Sequence, residues 1–226
     1  MSLTLYLHPL ASFCHKVLIA LYENDTPFRA EVVDLSDRSA SVGFFDLWPV
    51  GKIPVLRDDR LNRTIPESTI IIEYLDRYYP GPCRLLPVDE YQLLDARLWD
   101  RFFDLYLQVP MQKIVTDRLR AEGERDPKGV AEARAALETA YDMLERRMTD
   151  RLWTIGEEFS IADCAAAPAL FYAGIVAPFA DTRPHAQAYF KRLLTRPSFK
   201  RVIVEARPYF QYFPFKDAMP ARFMTA

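Results

Sequence analysis

The chain has 226 residues, of which 50% are hydrophobic and 13% aromatic, a composition that excludes an intrinsically disordered protein. Its formal net charge of −2 provides no basic excess that could hold a nucleic acid or an anionic membrane surface. A typical single domain has ~100–150 residues. The length therefore predicts a two-domain protein with a substantial core.

The cysteines and histidines indicate neither a disulfide framework nor a metal site. Cys14, Cys83 and Cys164 are odd in number and far apart, and the three histidines have no ligand spacing. This pattern is typical of reduced thiols in a cytoplasmic protein. The N-terminal sequence Met1–Thr4 lacks the basic region of a secretory signal, so we do not expect export.

The first third of the chain has the pattern of an α/β domain. Strand-like runs at 3–7, 29–33 and 54–57, with a fourth near Thr64, alternate with helical patterns. In the first helix an i, i+3, i+4, i+7 stripe should face the sheet; it comprises Cys14, Val17, Leu18 and Leu21. We place this α/β domain at residues 1–82.

A proline-rich break at residues 80–87 is followed by wholly helical periodicity, which predicts an all-α domain at residues 88–226. One helix is marked by Leu98, Phe102, Leu105 and Tyr106, and another by Val130, Ala133, Leu137, Tyr141, Leu144 and Met148. The uncharged run 164–180 is shorter than the ~20 apolar residues of a membrane span and contains prolines, so we expect a buried helix. Ser160 and Asp163 form a variant of the capping box.

The segment Val50–Leu56, with the sequence V-G-K-I-P-V-L, predicts a surface that binds an extended peptide. The residue before a proline is restricted to extended backbone, and a cis Ile53–Pro54 bond would turn the chain sharply. The Ile53 amide and carbonyl would then face outward, where a short peptide can pair with them as an added strand does. The alternative is an ordinary proline at a strand edge.

The pair Glu67–Ser68 begins an apolar periodic stretch and therefore predicts the start of a helix. Free N–H groups and the helix dipole bind a carboxylate there, while the Glu67 side chain can take an ammonium group. Because a γ-glutamyl group carries both charges on one carbon, the predicted ligand is glutathione, with Lys52 near its glycine carboxylate. The alternative is an ordinary helix start and a surface lysine.

Further segments make the chain similar to a known family. The N-terminal strand, the turn at 8–12 and the helix F-C-H-K-V-L-I-A-L, together with F-S-I-A-D-C-A-A-A-P-A-L (159–170) and R-P-S-F-K-R (196–201), resemble cytosolic glutathione transferases of the bacterial type, near the zeta- and beta-like classes. The resemblance extends from Leu3 to about Arg201. It implies a thioredoxin-like, glutathione-binding N-terminal domain and an all-helical domain that contributes the electrophile pocket.

The chemistry implied by the resemblance needs a group that stabilises the glutathione thiolate, because a free thiol has a pKa near ~8.5. A hydroxyl at the start of the first helix does so by hydrogen bonding and by the helix dipole, which makes Ser12 the candidate. The family's common S-P-F-C-R-K-V places Ala11 at the usual hydroxyl position. The Ser12 N–H group and a plain N-cap role for Ser12 therefore remain alternatives.

Two neighbours of Ser12 carry groups that could also act in the site. Cys14 is the competing thiolate candidate, but its place on the apolar stripe favours an inert structural role. His15 lies off that stripe, so it could approach the ligand, although a solvent-facing histidine is the commoner case.

The second substrate is implied only by the resemblance. It would lie between the domains against Phe103, Tyr106 and Leu107, with the aromatic tail 209–213 as a cover; the alternative for these aromatics is the core. The implied function is attack of the glutathione thiolate on a small electrophile, as in detoxification. Glutathione-dependent cis–trans isomerisation and non-catalytic ligand binding are alternatives. A homodimer is implied as well, with Asp100 near the partner's site.

Overall fold

The structure is a computed structural model that describes residues 2–35, 37 and 41–224. Its first part alternates strands and helices as the sequence predicts: β1 (Leu3–Leu7), α1 (Ser12–Glu23), β2 (Arg29–Val32), α2 (Val42–Leu47), β3 (Val55–Asp58), β4 (Arg63–Pro66) and α3 (Ser68–Tyr78). The four predicted strands are confirmed, with ends that differ from the predicted ones by a residue at β2 and β3.

The strands form a mixed sheet in the order β2-β1-β3-β4. Strand β1 is parallel to β2 and antiparallel to β3, so Leu5 lies opposite both Ala30 and Leu56. Strand β4 is antiparallel to β3 and places Pro66 opposite Val55. This pairing brings the end of β4, and therefore the start of α3, next to the start of β3.

Helix α1 is buried on more than the stripe predicted to face the sheet. Cys14, Val17, Leu18 and Leu21 are in the core, and His15 and Lys16 are fully buried too. The reason is that α1 packs against α3 on one side and against α7 and α9 of the helical half on the other. A polar residue of α1 therefore meets another element wherever it points.

The second part is helical throughout: α4 (Glu90–Phe102), a π-helical segment (Phe103–Gln108), α5 (Val109–Arg118), α6 (Pro127–Arg147), α7 (Ile161–Val176), α8 (Pro184–Thr195), α9 (Pro197–Ala206) and α10 (Ala221–Met224). Helix α7 is the buried centre and begins with the predicted capping box of Ser160 and Asp163. Among the described helices, none is both long enough and apolar enough to cross a membrane.

The helix that begins the second part buries a different face from the one that its periodicity predicts. Of the four residues that marked the predicted face, Phe102 is in the core, whereas Leu98, Leu105 and Tyr106 are exposed. Trp99, Phe103 and Leu107 are in the core instead. The segment 98–107 carries apolar residues on two faces, and its second half is a π-helix, in which the spacing of the buried residues shifts. The prediction is therefore confirmed for Phe102 and wrong for Leu98, Leu105 and Tyr106.

Candidate functional site

A cleft of about 180 Å³ lies where the loop before β3 and the starts of α1 and α3 meet α5. The five residues predicted to bind a glutathione-like ligand all line it: Lys52, Ile53, Pro54, Glu67 and Ser68. Phe13, Trp48, Val109 and Gln112 complete the walls. The loop and the helix start are separated in sequence and become adjacent because β3 and β4 pair.

The loop before β3 makes a tight turn and then presents Ile53. Gly51 has a φ of +68°, and a Cβ atom at this position would lie 2.6 Å from the Phe45 ring, so the turn requires glycine. The Ile53–Pro54 peptide is cis. Pairing of β3 begins at Val55, so Ile53 lies outside the paired strand residues, where it is half-buried and lines the cleft.

The start of α3 forms the opposite side of the cleft. Glu67 is exposed and immediately precedes the helix, and Ser68 is the first helical residue and is buried. No side chain caps α3, so the N–H groups of its first turn are free to bind a carboxylate. Glu67 has a φ of +68°, a conformation that non-glycine residues rarely adopt. Such backbone strain concentrates at functional sites.

The start of α1 differs from the expectation in one respect. Ala11, not Ser12, is the residue before the helix, and it has an extended backbone and no side-chain cap. Ser12 is the first helical residue and is 4% exposed. It lies beside the cleft rather than in its wall, which Phe13 provides. The alternative role of Ser12 as a plain N-cap is therefore wrong.

The two neighbours of Ser12 are both buried. Burial raises the pKa of the Cys14 thiol to about 12, which agrees with an inert structural role. His15 is also fully buried, so the expectation that it faces solvent or approaches the ligand is wrong. Its Nε2 lies 2.5 Å from the Pro9 carbonyl oxygen, its ring packs on Tyr172, and burial lowers its pKa to about 4.

The residues expected around a second substrate lie elsewhere. Phe103 and Leu107 are fully buried in the core, so they do not line the cleft, and Tyr106 is exposed. In the aromatic tail, Phe210 is also in the core, and Tyr209 lines a separate cavity against α1 and β2. The tail therefore does not cover the cleft. For Phe103, Leu107 and Phe210 the alternative expectation, a place in the core, is the one that holds.

Asp100 also departs from expectation. It is fully buried and forms an ion pair with Lys16 of the same chain, so it is not free to approach a partner's site.

Four residues that line the cleft were not predicted from the sequence, namely Phe13, Trp48, Val109 and Gln112. The position of Phe13 between Ser12 and Cys14 was a signal for the first. Nothing in the local pattern indicates that α5 returns to the loop before β3. Within the described part of the chain, no three histidine, cysteine or acidic residues are grouped so that they could hold a metal ion.

Sequence profiles identify both halves of the chain. The profile described as "Glutathione S-transferase, N-terminal domain" matches residues 5–83, and "Glutathione S-transferase, C-terminal domain" matches residues 102–197. The chain belongs to the glutathione S-transferase family. An N-terminal part of alternating strands and helices, followed by a part with helices alone, is the glutathione S-transferase fold.

Relatives of this family member carry two kinds of name. A stringent starvation protein A homolog from Histophilus somni is 30% identical over 210 residues, which cover 91% of this chain and 92% of that protein. The glutathione S-transferase GstB of Escherichia coli K12 is 26% identical over 194 residues, covering 84% and 91%.

Solved structures of the family are also similar to this chain. A glutathione S-transferase from Methylobacillus flagellatus KT, solved with GSH bound, superposes with a TM-score of 0.80 at 25% identity and covers 89% of this chain and 98% of that one. A glutathione S-transferase from Methylobacterium radiotolerans in complex with glutathione sulfonate has a TM-score of 0.77 at 28% identity, covering 88% and 93%.

Proposed function

We propose that this family member is a glutathione S-transferase in which the thiolate of bound glutathione attacks a small electrophile. One observation carries the proposal: a single cleft is lined by Ile53, by Glu67 and by the uncapped start of α3. These are the groups that a short peptide with a γ-glutamyl end requires. The names of its relatives and the ligands of the solved family structures support the same ligand.

Each part of glutathione has a proposed partner in the cleft. The Ile53 amide and carbonyl pair with the peptide backbone as an added strand would. The γ-glutamyl carboxylate binds the N–H groups of the first turn of α3 with the Ser68 hydroxyl, and Glu67 binds the ammonium group. Lys52 is exposed beside Ile53 and is proposed to bind the glycine carboxylate.

The sulfur is proposed to lie at the start of α1, beside Ser12. Free N–H groups of the first turn and the positive end of the helix dipole favour the thiolate there, and a hydroxyl donor adds a charge-assisted hydrogen bond. No hydrogen bond of the Ser12 hydroxyl is found within residues 2–35, 37 and 41–224, so it remains available as a donor. Ser12→Ala should raise the pKa of bound glutathione, and Cys14→Ala should not.

Calorimetry with reduced glutathione tests the ligand directly. Glu67→Gln should weaken binding by about 1.5–3 kcal/mol, because it removes a hydrogen bond to a charged group. The matched control is Glu90→Gln, since Glu90 is an exposed carboxylate in the first turn of α4 and should have no effect. If wild type binds no glutathione, the proposal fails. If both variants bind equally, Glu67 has no part in the site.

A non-catalytic glutathione-binding protein is the second candidate. It is favoured by Ala11, which provides no hydroxyl at the residue before α1, and by the relative named stringent starvation protein A homolog. A panel of electrophiles that includes a cis–trans isomerisable substrate separates the possibilities. Turnover by substitution or addition supports the transferase and isomerisation alone supports an isomerase. Tight glutathione binding without turnover would establish the binder.

We also propose a homodimer, supported by exposed apolar residues on α4. Tyr91, Leu94 and Leu98 lie on one side of this helix at i, i+3 and i+7 and are 81%, 64% and 63% exposed, and such exposed patches mark interfaces. Analytical ultracentrifugation should find a dimer that Leu94→Glu dissociates.

A cytoplasmic location is proposed because Cys14, Cys83 and Cys164 are all free thiols, which is typical of proteins in a reducing compartment.

A further inference from the structure

A buried lysine lies at the junction of the two halves of the molecule. Lys16 of α1 is fully buried, and its Nζ lies 2.6 Å from Asp100 Oδ1 and 2.8 Å from Asp104 Oδ2. Asp100 belongs to α4 and Asp104 to the π-helical segment, one turn further along. One ammonium group therefore joins the first helix of the α/β half to the first long helix of the other half.

The same ammonium group also reaches α3. Lys16 Nζ donates to Thr69 Oγ1 at 2.9 Å, and Thr69 Oγ1 donates to Asp100 Oδ2 at 2.6 Å. Thr69 is the second residue of α3 and directly follows Ser68, which lines the cleft. The Thr69 hydroxyl thus connects the first turn of α3 to a buried ion pair, although α3 has no side-chain cap of its own.

The composition of this cluster argues against a purely stabilising role. It contains two carboxylates and one buried cation, with Arg101 3.4 Å from Asp104 at the exposed rim. Buried ion pairs often contribute less stability than well-packed apolar residues of similar volume, because both charges lose their hydration. The cluster instead fixes the relative positions of its members, since charge-assisted hydrogen bonds restrict the positions of the groups that they join.

We propose that Lys16 and Thr69 are positioning residues that fix the first turn of α3 and so orient Glu67 and Ser68 toward glutathione. The inference rests on the proposed function, because it assigns a purpose to the geometry of the same cleft. The strained backbone of Glu67 needs such support, since a residue keeps a rarely populated conformation only when its surroundings hold it.

Thr69→Val tests the inference because valine keeps the branched shape of threonine and removes only the hydroxyl. Glutathione affinity should fall roughly three- to tenfold, the size of one hydrogen bond, and the KM for glutathione should rise with kcat unchanged at saturation. The pKa of the bound thiol should also stay unchanged, because α1 keeps its own contacts. Thr69→Ser retains the hydroxyl and should bind as wild type does.

Thr139→Val is the control for a general loss of a helical hydroxyl, since Thr139 Oγ1 donates to the Ala135 carbonyl oxygen of its own helix, at 3.2 Å. Urea unfolding of all variants shows that each is folded. If wild type and Thr69→Ser bind glutathione and Thr69→Val binds it equally well, this inference is overturned and the proposed function stands. If wild type binds none, both fall.

Discussion

Two buried carboxylate clusters in this molecule are built differently. In the helical half, Asp163 accepts hydrogen bonds from the backbone N–H and hydroxyl groups of both Thr154 and Ser160 and from the Tyr189 hydroxyl, at 2.6–3.0 Å. All these donors are neutral. Between the two halves, Asp100 and Asp104 instead share the ammonium group of Lys16.

The difference shows how a buried charge can serve two purposes. The Asp163 cluster joins residues of the helical half, next to the start of α7, and none of its four residues is among those that line the cleft in the described part of the chain. The Lys16 cluster joins α1, α3 and α4, and its hydroxyl member lies beside Ser68. We therefore expect changes at Asp163 to act on stability alone and changes around Lys16 to act on stability and ligand binding together.

The largest effect is expected from Lys16→Met, which removes the only fully buried cation of this cluster and leaves Asp100 with the Thr69 hydroxyl and Asp104 with the half-exposed Arg101. Breaking a buried ion pair in this way costs about 3–5 kcal/mol in the free energy of unfolding, measured by urea denaturation. Lys113→Met is the control, because the Lys113–Asp126 pair is partly exposed and should cost at most about 1 kcal/mol. If both variants lost a similar amount of unfolding free energy, Lys16 would have no special role in stability.

Asp163→Asn should have the next largest effect. The amide keeps the shape of the side chain but turns an acceptor into a donor that faces other donors, which should cost about 1.5–3 kcal/mol of unfolding free energy. Glutathione affinity of the folded variant should equal that of wild type in calorimetry. A tenfold loss of affinity would contradict the separation of the two clusters.

The smallest effect is a change in the pH dependence of stability. Burial raises the pKa of Asp104, with Lys16 opposing and Asp100 adding to the rise. The folded protein thus keeps this proton to a higher pH than the unfolded chain does, so the contribution of Asp104 to stability falls as the pH rises above its ordinary pKa of about 3.9.

Asp104→Asn removes that titration. The stability of wild type relative to Asp104→Asn, from urea unfolding at several pH values, should therefore be constant below about pH 4 and decrease toward neutrality. Asp126→Asn is a useful control, because the pKa of Asp126 is lowered by its bond to Lys113. The stability of wild type relative to this variant should change in the opposite direction with pH. Parallel trends for both variants would refute the assignment for Asp104.

Local sequence signals accounted for much of the candidate site. The V-G-K-I-P-V-L segment and the Glu67–Ser68 pair each depend on nearby residues, through the backbone restriction at proline and the free N–H groups of a helix start. The cleft brings both segments together. The first stripe of α1 was also predictable, because a sheet buries one face of a helix. Local signals did not identify the buried face where a helix has two apolar faces, as at Phe103 and Leu107.

The burial and ion pairing of Lys16 could not be predicted from a local sequence pattern. In the sequence it is a charged residue with no distinguishing neighbour, and its partner Asp104 lies 88 positions away. Only the tertiary structure, in which α1 and α4 both pack against α7, gives that charge a buried partner. The packing of α5 near the loop before β3 likewise decides that Val109 and Gln112 line the cleft.

The sequence by itself determined the order of strands and helices and the loop and helix start that line the cleft, and it favoured an inert role for Cys14. These features depend on backbone restrictions and on residue periods that act over a few positions. The tertiary structure decided which apolar face of α4 is buried, which polar residues are removed from water, and which distant segments complete the cleft. Burial and electrostatic pairing depend on contacts between elements, and those contacts exist only after the chain has folded.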